Sequence, residues 1–138
     1  MRTIKFRAKN LDGEWVYGFY VEEERQTFNG FEKKHFIVND GYDYVNPDTV
    51  GQFTGLYDKD GKEIYEGDIV KAPYLDPIFG DVVNNMFVNI VVGYNKGSFV
   101  LEYDGNLRVY ISDLYDNIEI IGNIYDNPEL LTENERYE

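Results

Sequence analysis

The segment Gly51–Lys71, GQFTGLYDKDGKEIYEGDIVK, constrains the fold of this chain more than any other stretch. Val50 to Tyr57 reads as a strand, Asp58-Lys59-Asp60-Gly61-Lys62 as a tight turn and Glu63 to Tyr65 as a short second strand. Glu66-Gly67-Asp68 then bends the chain, and Ile69 to Ala72 continues as β. Gly55, Gly61 and Gly67 are expected at bends where φ is positive or where a Cβ would clash.

The same rhythm runs through the rest of the chain. Thr3 to Ala8 alternates, with Ile4, Phe6 and Ala8 on one side and Thr3, Lys5 and Arg7 on the other. After the Asp12-Gly13 turn, Glu14 to Val21 places Trp15, Tyr17, Phe19 and Val21 on one face, which predicts a hairpin over residues 3–21. Glu22 to Arg25 is a solvated charged stretch, the far end of that strand or a loop, Asn29-Gly30 signals another turn, and His35 to Val38 is a short strand. Asn39 to Pro47 is a polar connection. Pro73, Pro77 and Gly80 mark residues 73–80 as a loop. Val82 to Tyr94 is the longest β-prone run, turned by Asn95-Lys96-Gly97 into Ser98 to Tyr103. Asp104-Gly105-Asn106 turns the chain again into Leu107 to Ile111, and Ile118 to Tyr125 is the last strand. Asn127-Pro128 suits the start of a short C-terminal helix, and residues 132–138 are expected to fray.

About ten short strands with turns every 8–12 residues predict an all-β barrel or sandwich. Composition agrees. The chain has 13 Tyr, 9 Phe and 1 Trp, residue types that suit a pleated, half-buried surface. Ala, the best helix former, occurs only as Ala8 and Ala72. The aromatics are expected to fill the core.

A formal net charge of −13 favours solubility and repels nucleic-acid phosphate. Residues 1–9 nonetheless carry Arg2, Lys5, Arg7 and Lys9 with no acid, while residues 101–138 carry ten acids against Arg108 and Arg136. The basic strand would suit an acidic surface, on this chain or on another. The absence of Cys fits a reducing cytoplasm. No apolar run approaches the ~18 residues of a membrane span, and MRTIKFRAKN is not followed by the apolar region of a signal peptide.

Catalytic chemistry is hard to assemble from these residues. Ser98 and Ser112 are the only serines, neither lies in a nucleophile-elbow motif, and His35 is the only histidine. One His and no Cys leave zinc only carboxylates as further ligands. Aligning Gly61 with the sixth place of a calcium loop puts Leu56 first and Gly67 twelfth, neither of them a ligand. Gly55 to Lys62 departs from a phosphate loop in spacing and has Glu63 where Ser or Thr should hold magnesium. Twenty-six acids make carboxylate pairs expected by chance. No cofactor, metal or enzymatic activity is expected.

Three blocks carry a family resemblance. Ile4-Lys5-Phe6-Arg7-Ala8 is similar to the "IKFRAW" opening of the YopX family of phage and prophage proteins. Gln52 to Val70 resembles the family's "YTGLKDKNGKEIYEGDIV" pattern, and Glu119 to Leu131 resembles its "EVIGNIYENPELL" close. Phe53 stands where Tyr is usual, and Lys9 follows an opening that usually continues Trp-Asp. The resemblance implies a small β protein with an SH3-like barrel core over residues 49–131 and an N-terminal β-hairpin region over residues 1–48. It supplies no activity, cofactor or site residue. Its matching positions are expected to be architectural, with Ile64, Ile69, Val70, Ile121 and Ile124 in the core. The expected role is that of a non-enzymatic accessory protein in a bacterial cytoplasm, binding a protein partner or itself. Tyr42, Tyr44, Tyr57, Tyr65 and Tyr74 are the candidate contacts, because Tyr offers large contact area at low entropic cost. The alternative is a nucleic-acid-directed role, either as an acidic mimic of DNA or through the basic N-terminal strand.

Overall fold

The computed structural model describes residues 3–103 and 107–132. Arg2, the expected Asp104-Gly105-Asn106 turn and residues 133–138 of the expected tail lie outside the described residues. The chain is all-β, with strands β1 (Phe6–Lys9), β2 (Trp15–Thr27), β3 (Gly30–Val38), β4 (Tyr42–Tyr44), β5 (Gly51–Tyr57), β6 (Glu63–Tyr65), β7 (Asp68–Leu75), β8 (Val82–Asn95), β9 (Ser98–Tyr103), β10 (Leu107–Tyr110) and β11 (Glu119–Asn123). Helical structure among the described residues is confined to 3₁₀ turns at Pro47–Thr49, Ile111–Asp113, Tyr115–Asn117 and Pro128–Leu131. The expected C-terminal helix is therefore one short 3₁₀ turn. Pro128 opens it, but Asn127 does not cap it; the Asn127 Oδ1 instead accepts the Asn123 N–H at 3.3 Å.

The chain divides into two compact units, residues 1–53 and residues 54–138. The first unit holds β1 to β4 and the start of β5, in antiparallel order β4-β3-β2-β1-β5, and the rest of β5 pairs with β6 in the second unit. The first hairpin forms as expected, with Ala8 opposite Val16 and Lys9 opposite Trp15. Its turn is a three-residue loop rather than a two-residue one. The Asn10 N–H donates to Glu14 O at 2.9 Å, Gly13 alone in the loop takes a positive φ of 80°, and the Asn10 Oδ1 accepts from the N–H groups of Asp12 and Glu14. The Asn side chain thus replaces the backbone acceptors that a tighter turn would supply.

The register corrects the expectation that the aromatics of β2 fill the core. Ala8, Ile37 and Val45 are buried, and Phe6, Val16, Tyr20 and Val50 pack against them. Successive strand residues point to opposite faces, so Trp15, Tyr17, Phe19 and Val21 lie on the face away from this cluster. The charged stretch after Val21 is not a loop. β2 and β3 pair from Phe19↔Val38 out to Thr27↔Gly30, and Glu23↔Lys34, Glu24↔Lys33 and Arg25↔Glu32 alternate in sign across the ladder. Such exposed pairs each contribute little, under about 1 kcal/mol. They also protect a long two-stranded edge from pairing with other chains.

The second unit holds β6 and a five-stranded antiparallel sheet ordered β10-β9-β8-β7-β11. The sheet is open, with β10 and β11 at its edges, so the closed barrel expected is not formed. β8 is shared between two ladders. Its first part pairs with β7 as far as Val91, and Val92 to Asn95 pair with β9. β9 then leaves β8 beyond Val92↔Leu101 and continues on β10 alone. Ile64, Val70, Ala72, Val88, Ile90, Val92, Leu101 and Ile118 form the core, joined by the half-buried Ile120. Each fully buried Leu, Ile or Val contributes about 1.5–3 kcal/mol. Ile64, Ile69 and Val70 are fully buried as expected, whereas Ile121 and Ile124 are only half-buried and Ile118 takes the core position.

The last two blocks of the family resemblance meet here. β7 and β11 pair through Val70↔Ile120 and Lys71↔Glu119, and Asp58 joins them at a buried hub. Its Oδ1 accepts from the N–H groups of Asp60 and Lys62, both at 2.9 Å, and its Oδ2 accepts from the Ile120 N–H at 3.0 Å. The next residue reinforces the junction, because the Lys59 N–H donates to Ile118 O at 3.1 Å. Burial pushes the Asp58 pKa upward, but the three backbone donors and the nearby Lys62 charge hold it below the ordinary carboxylate value. Tyr103 makes a smaller tie of the same kind. Its hydroxyl donates to Pro73 O at 2.9 Å, and burial raises its pKa. Tyr103→Phe should cost about 1 kcal/mol in a urea unfolding titration; an unchanged midpoint would show that bond to be worth nothing net.

Candidate functional site

The structure separates the five candidate tyrosines. Tyr42 and Tyr44 lie in the first unit; Tyr57, Tyr65 and Tyr74 lie in the second. Tyr65 is a correction. It is 2% exposed, because its backbone N–H is drawn to the buried Asp68 Oδ2 at 2.7 Å and its hydroxyl donates to Glu63 Oε1 at 2.9 Å. A ring so enclosed offers nothing to a partner. Tyr74 is half-buried and packs against the core of its unit, and Tyr57 stands at the end of β5 with about half its surface exposed.

Tyr42 and Tyr44 are brought together, and the register explains how. In the β3–β4 ladder Phe36 lies opposite Tyr44 and Val38 opposite Tyr42; in the β2–β3 ladder Val21 lies opposite Phe36 and Phe19 opposite Val38. All six side chains therefore share one face. Phe36 is buried at its centre, 1% exposed. The Tyr42 ring meets it edge-on at 5.6 Å and the Tyr44 ring is tilted against it at 4.7 Å. Phe19 and Tyr42, each 64% exposed, form the outer surface with Tyr44. Arg25 closes one end. Its guanidinium lies 5.1 Å from the Phe36 centroid, is anchored to Glu23 Oε2 at 2.8 Å and reaches the Tyr44 hydroxyl at 3.5 Å. The result is a fixed aromatic surface, since buried Phe36 restricts the rings above it.

Sequence reasoning found the two tyrosines but not Phe19, Phe36 or Arg25. Their membership depends on cross-strand register, and the charged run from Glu22 to Arg25 left open whether β2 continues past Val21 or gives way to a loop.

The basic N-terminal strand has a different environment. Lys5 lies 5.4 Å from the Phe53 centroid, Lys9 lies 5.5 Å from that of Trp15, and the Arg7 guanidinium, on a residue 7% exposed, lies 4.6 Å from the same Trp15 ring. These cations are engaged with aromatic faces. His35 lies on the core side of the sheet. Its ring stacks on Tyr20 with an interplanar angle of 6°, and its Nδ1 is 2.7 Å from the Tyr20 hydroxyl. The same hydroxyl lies 3.1 Å from Glu22 Oε1. Burial, then the Glu22 carboxylate, push the Tyr20 pKa up to about 12.

In the second unit a groove of about 400 Å³ opens where β9 leaves β8, bordered by Tyr74, Ile90, Val100, Glu102, Tyr103 and Leu131. The Tyr103 hydroxyl is turned to Pro73 O. Among the described residues no group of three or more His, Cys, Asp or Glu side chains is placed to hold a metal ion, and no helix is long and apolar enough to cross a membrane.

Comparison with known proteins accounts for nearly the whole chain. A family model described as YopX protein matches residues 5–132. The crystal structure of protein EF1440 from Enterococcus faecalis is similar at a TM-score of 0.54 and 25% sequence identity, over 95% of this chain and 99% of that one. No curated protein matches.

Proposed function

This chain belongs to the YopX family, and from that premise we propose that it is a phage or prophage accessory protein that binds another protein without transforming it. The observation that carries this reading is the exposed aromatic surface of Phe19, Tyr42 and Tyr44 over buried Phe36. Rigid aromatic side chains beside an anchored Arg are the residue types that dominate binding energy at protein interfaces. The sheet of the second unit supports an SH3-like reading in opened form, through its five antiparallel strands and the shared β8. It acts in this reading as the scaffold.

The test uses the full chain as bait in lysate of the bacterium that carries it, at physiological salt, followed by titration with the purified partner. Tyr42→Ala and Phe19→Ala are each expected to weaken binding about 10-fold. Phe19→Ala should leave the thermal midpoint nearly unchanged because its side chain is mostly exposed, whereas Tyr42→Ala also uncovers Phe36 and should lower it by roughly 3 °C. A partner that binds both variants as tightly as the parent would remove the aromatic surface from the interface.

A further inference from the structure

The β7–β8 connection in the second unit presents two large apolar side chains on a preformed loop. Ile78 is 80% exposed and Phe79 is 77% exposed, and Val82 beside them is 55% exposed. Loop tips of this kind are ordinarily polar, and adjacent exposed apolar side chains mark a contact surface. Nor is this loop a slack excursion. The Asp76 N–H donates to Asp81 O at 2.8 Å, the Gly80 N–H donates to Asp76 O at 2.7 Å, and the Ile78 N–H donates to Asp76 Oδ1 at 2.8 Å. Pro77 fixes one φ and Gly80 takes a positive φ of 74°. The pair is thus held outward by its own backbone bonds, so little ordering entropy remains to be lost on docking.

Charge selects the occupant. Asp76 and Asp81 stand at the two ends of the loop, with no basic residue between them. Anionic lipid headgroups would be repelled by these carboxylates. A second copy would bring another net charge of −13 toward the first. A protein whose apolar pocket is rimmed by Lys or Arg satisfies both features. We propose that Ile78 and Phe79 form an anchor that inserts into such a basic-rimmed pocket on a protein partner. This deepens the binding role argued above and adds a contact in the other unit.

The test places the photoreactive residue p-benzoylphenylalanine at position 79 of the full chain, and in a second sample at position 42, in the bacterium that carries the protein. A discrete covalent adduct is expected from position 79. The protein in that adduct, once purified, should bind the unmodified chain at least 10-fold less tightly after Phe79→Ser, and less tightly after Asp81→Lys and as salt rises. Unchanged thermal midpoints of these variants would show that the losses are local. An adduct from position 42 with none from position 79 overturns the anchor and leaves the aromatic surface standing. No adduct from either position overturns both. A position-79 adduct of twice the chain's mass, or sedimentation of the chain with anionic vesicles abolished by Phe79→Ser, replaces the basic-rimmed partner with self-association or a lipid surface. Binding indifferent to Asp81→Lys and to salt overturns the charge argument.

Discussion

Asp58→Ala is expected to cost about 3 kcal/mol and to lower the thermal midpoint by roughly 10 °C. One buried carboxylate accepts from three backbone N–H groups, two in its own turn and one on β11. Removing it leaves all three donors without their acceptor, one of them 62 residues away in sequence. Asp58→Asn should be milder, about 1–2 kcal/mol. The carbonyl of the introduced amide can replace Oδ1 toward Asp60 and Lys62, but its NH₂ would then face the Ile120 N–H, donor against donor. The pH dependence separates charge from shape. Asp58 is held below the ordinary carboxylate pKa of ~4. Its unfolded form takes up a proton before its folded form does, so its ionic contribution is complete above the unfolded pKa and is lost as pH falls through the folded value. The stability difference between the parent chain and the Asp58→Asn variant, measured by urea titration, should therefore be largest near neutral pH and shrink toward pH ~2. A constant difference across that range would mean that the carboxylate acts by shape alone.

Gly18→Ala is expected to cost about 2–4 kcal/mol and to loosen the aromatic surface with it. Gly18 lies in the interior of β2, opposite Phe6. A Cβ there would collide with the Val38 carbonyl oxygen and press on the Asn39 side chain. The β2–β3 ladder ends at Phe19↔Val38 because the chain reverses directly over Gly18. Asn39 donates its N–H to Gly41 O at 3.0 Å, Asp40 adopts a positive φ of 60°, and β4 begins at Tyr42. Since backbone cannot yield as a flexible side chain would, the β3–β4 turn must move and carry Tyr42 away from Phe36. Urea titration reads the stability loss, and amide exchange of Asp43, opposite Ile37, and of Val45, whose N–H donates to His35 O at 3.0 Å, reads the opening of β4. Wild-type exchange rates in the variant would refute the link between this glycine and the surface.

Legibility followed the range of the interactions. The first hairpin, the strand–turn–strand of residues 50–65 and the all-β class were readable because period-2 alternation and Asp-Gly turns act over a few residues. Gly18 had left a usable signal: a lone glycine inside an alternating strand indicates close backbone approach. Phe36 had left none. An apolar residue next to His35 in a short run does not reveal that it will be roofed by Tyr42 and Tyr44. The extension of β2 to Thr27 was one of two readings, because Glu22 to Arg25 suits the far end of a strand as well as a loop, and only pairing with Glu32, Lys33 and Lys34 decides for the strand.

Two turns divide what the sequence determined from what the tertiary structure decided. Asn10-Leu11-Asp12-Gly13-Glu14 and Asp58-Lys59-Asp60-Gly61-Lys62 close in the same way, each with its first side chain accepting from the N–H groups two and four residues on, and each with its glycine at positive φ. That much is local chemistry, fixed by residue type and spacing. Asn10 makes these turn bonds at an exposed site, whereas Asp58 has a second oxygen that meets Ile120 when β11 arrives beside β7. A side chain within five residues of its partners is placed by the chain itself. One whose partner lies on a distant strand is placed only when burial of Val70, Ile90, Leu101 and Ile118 brings those strands together.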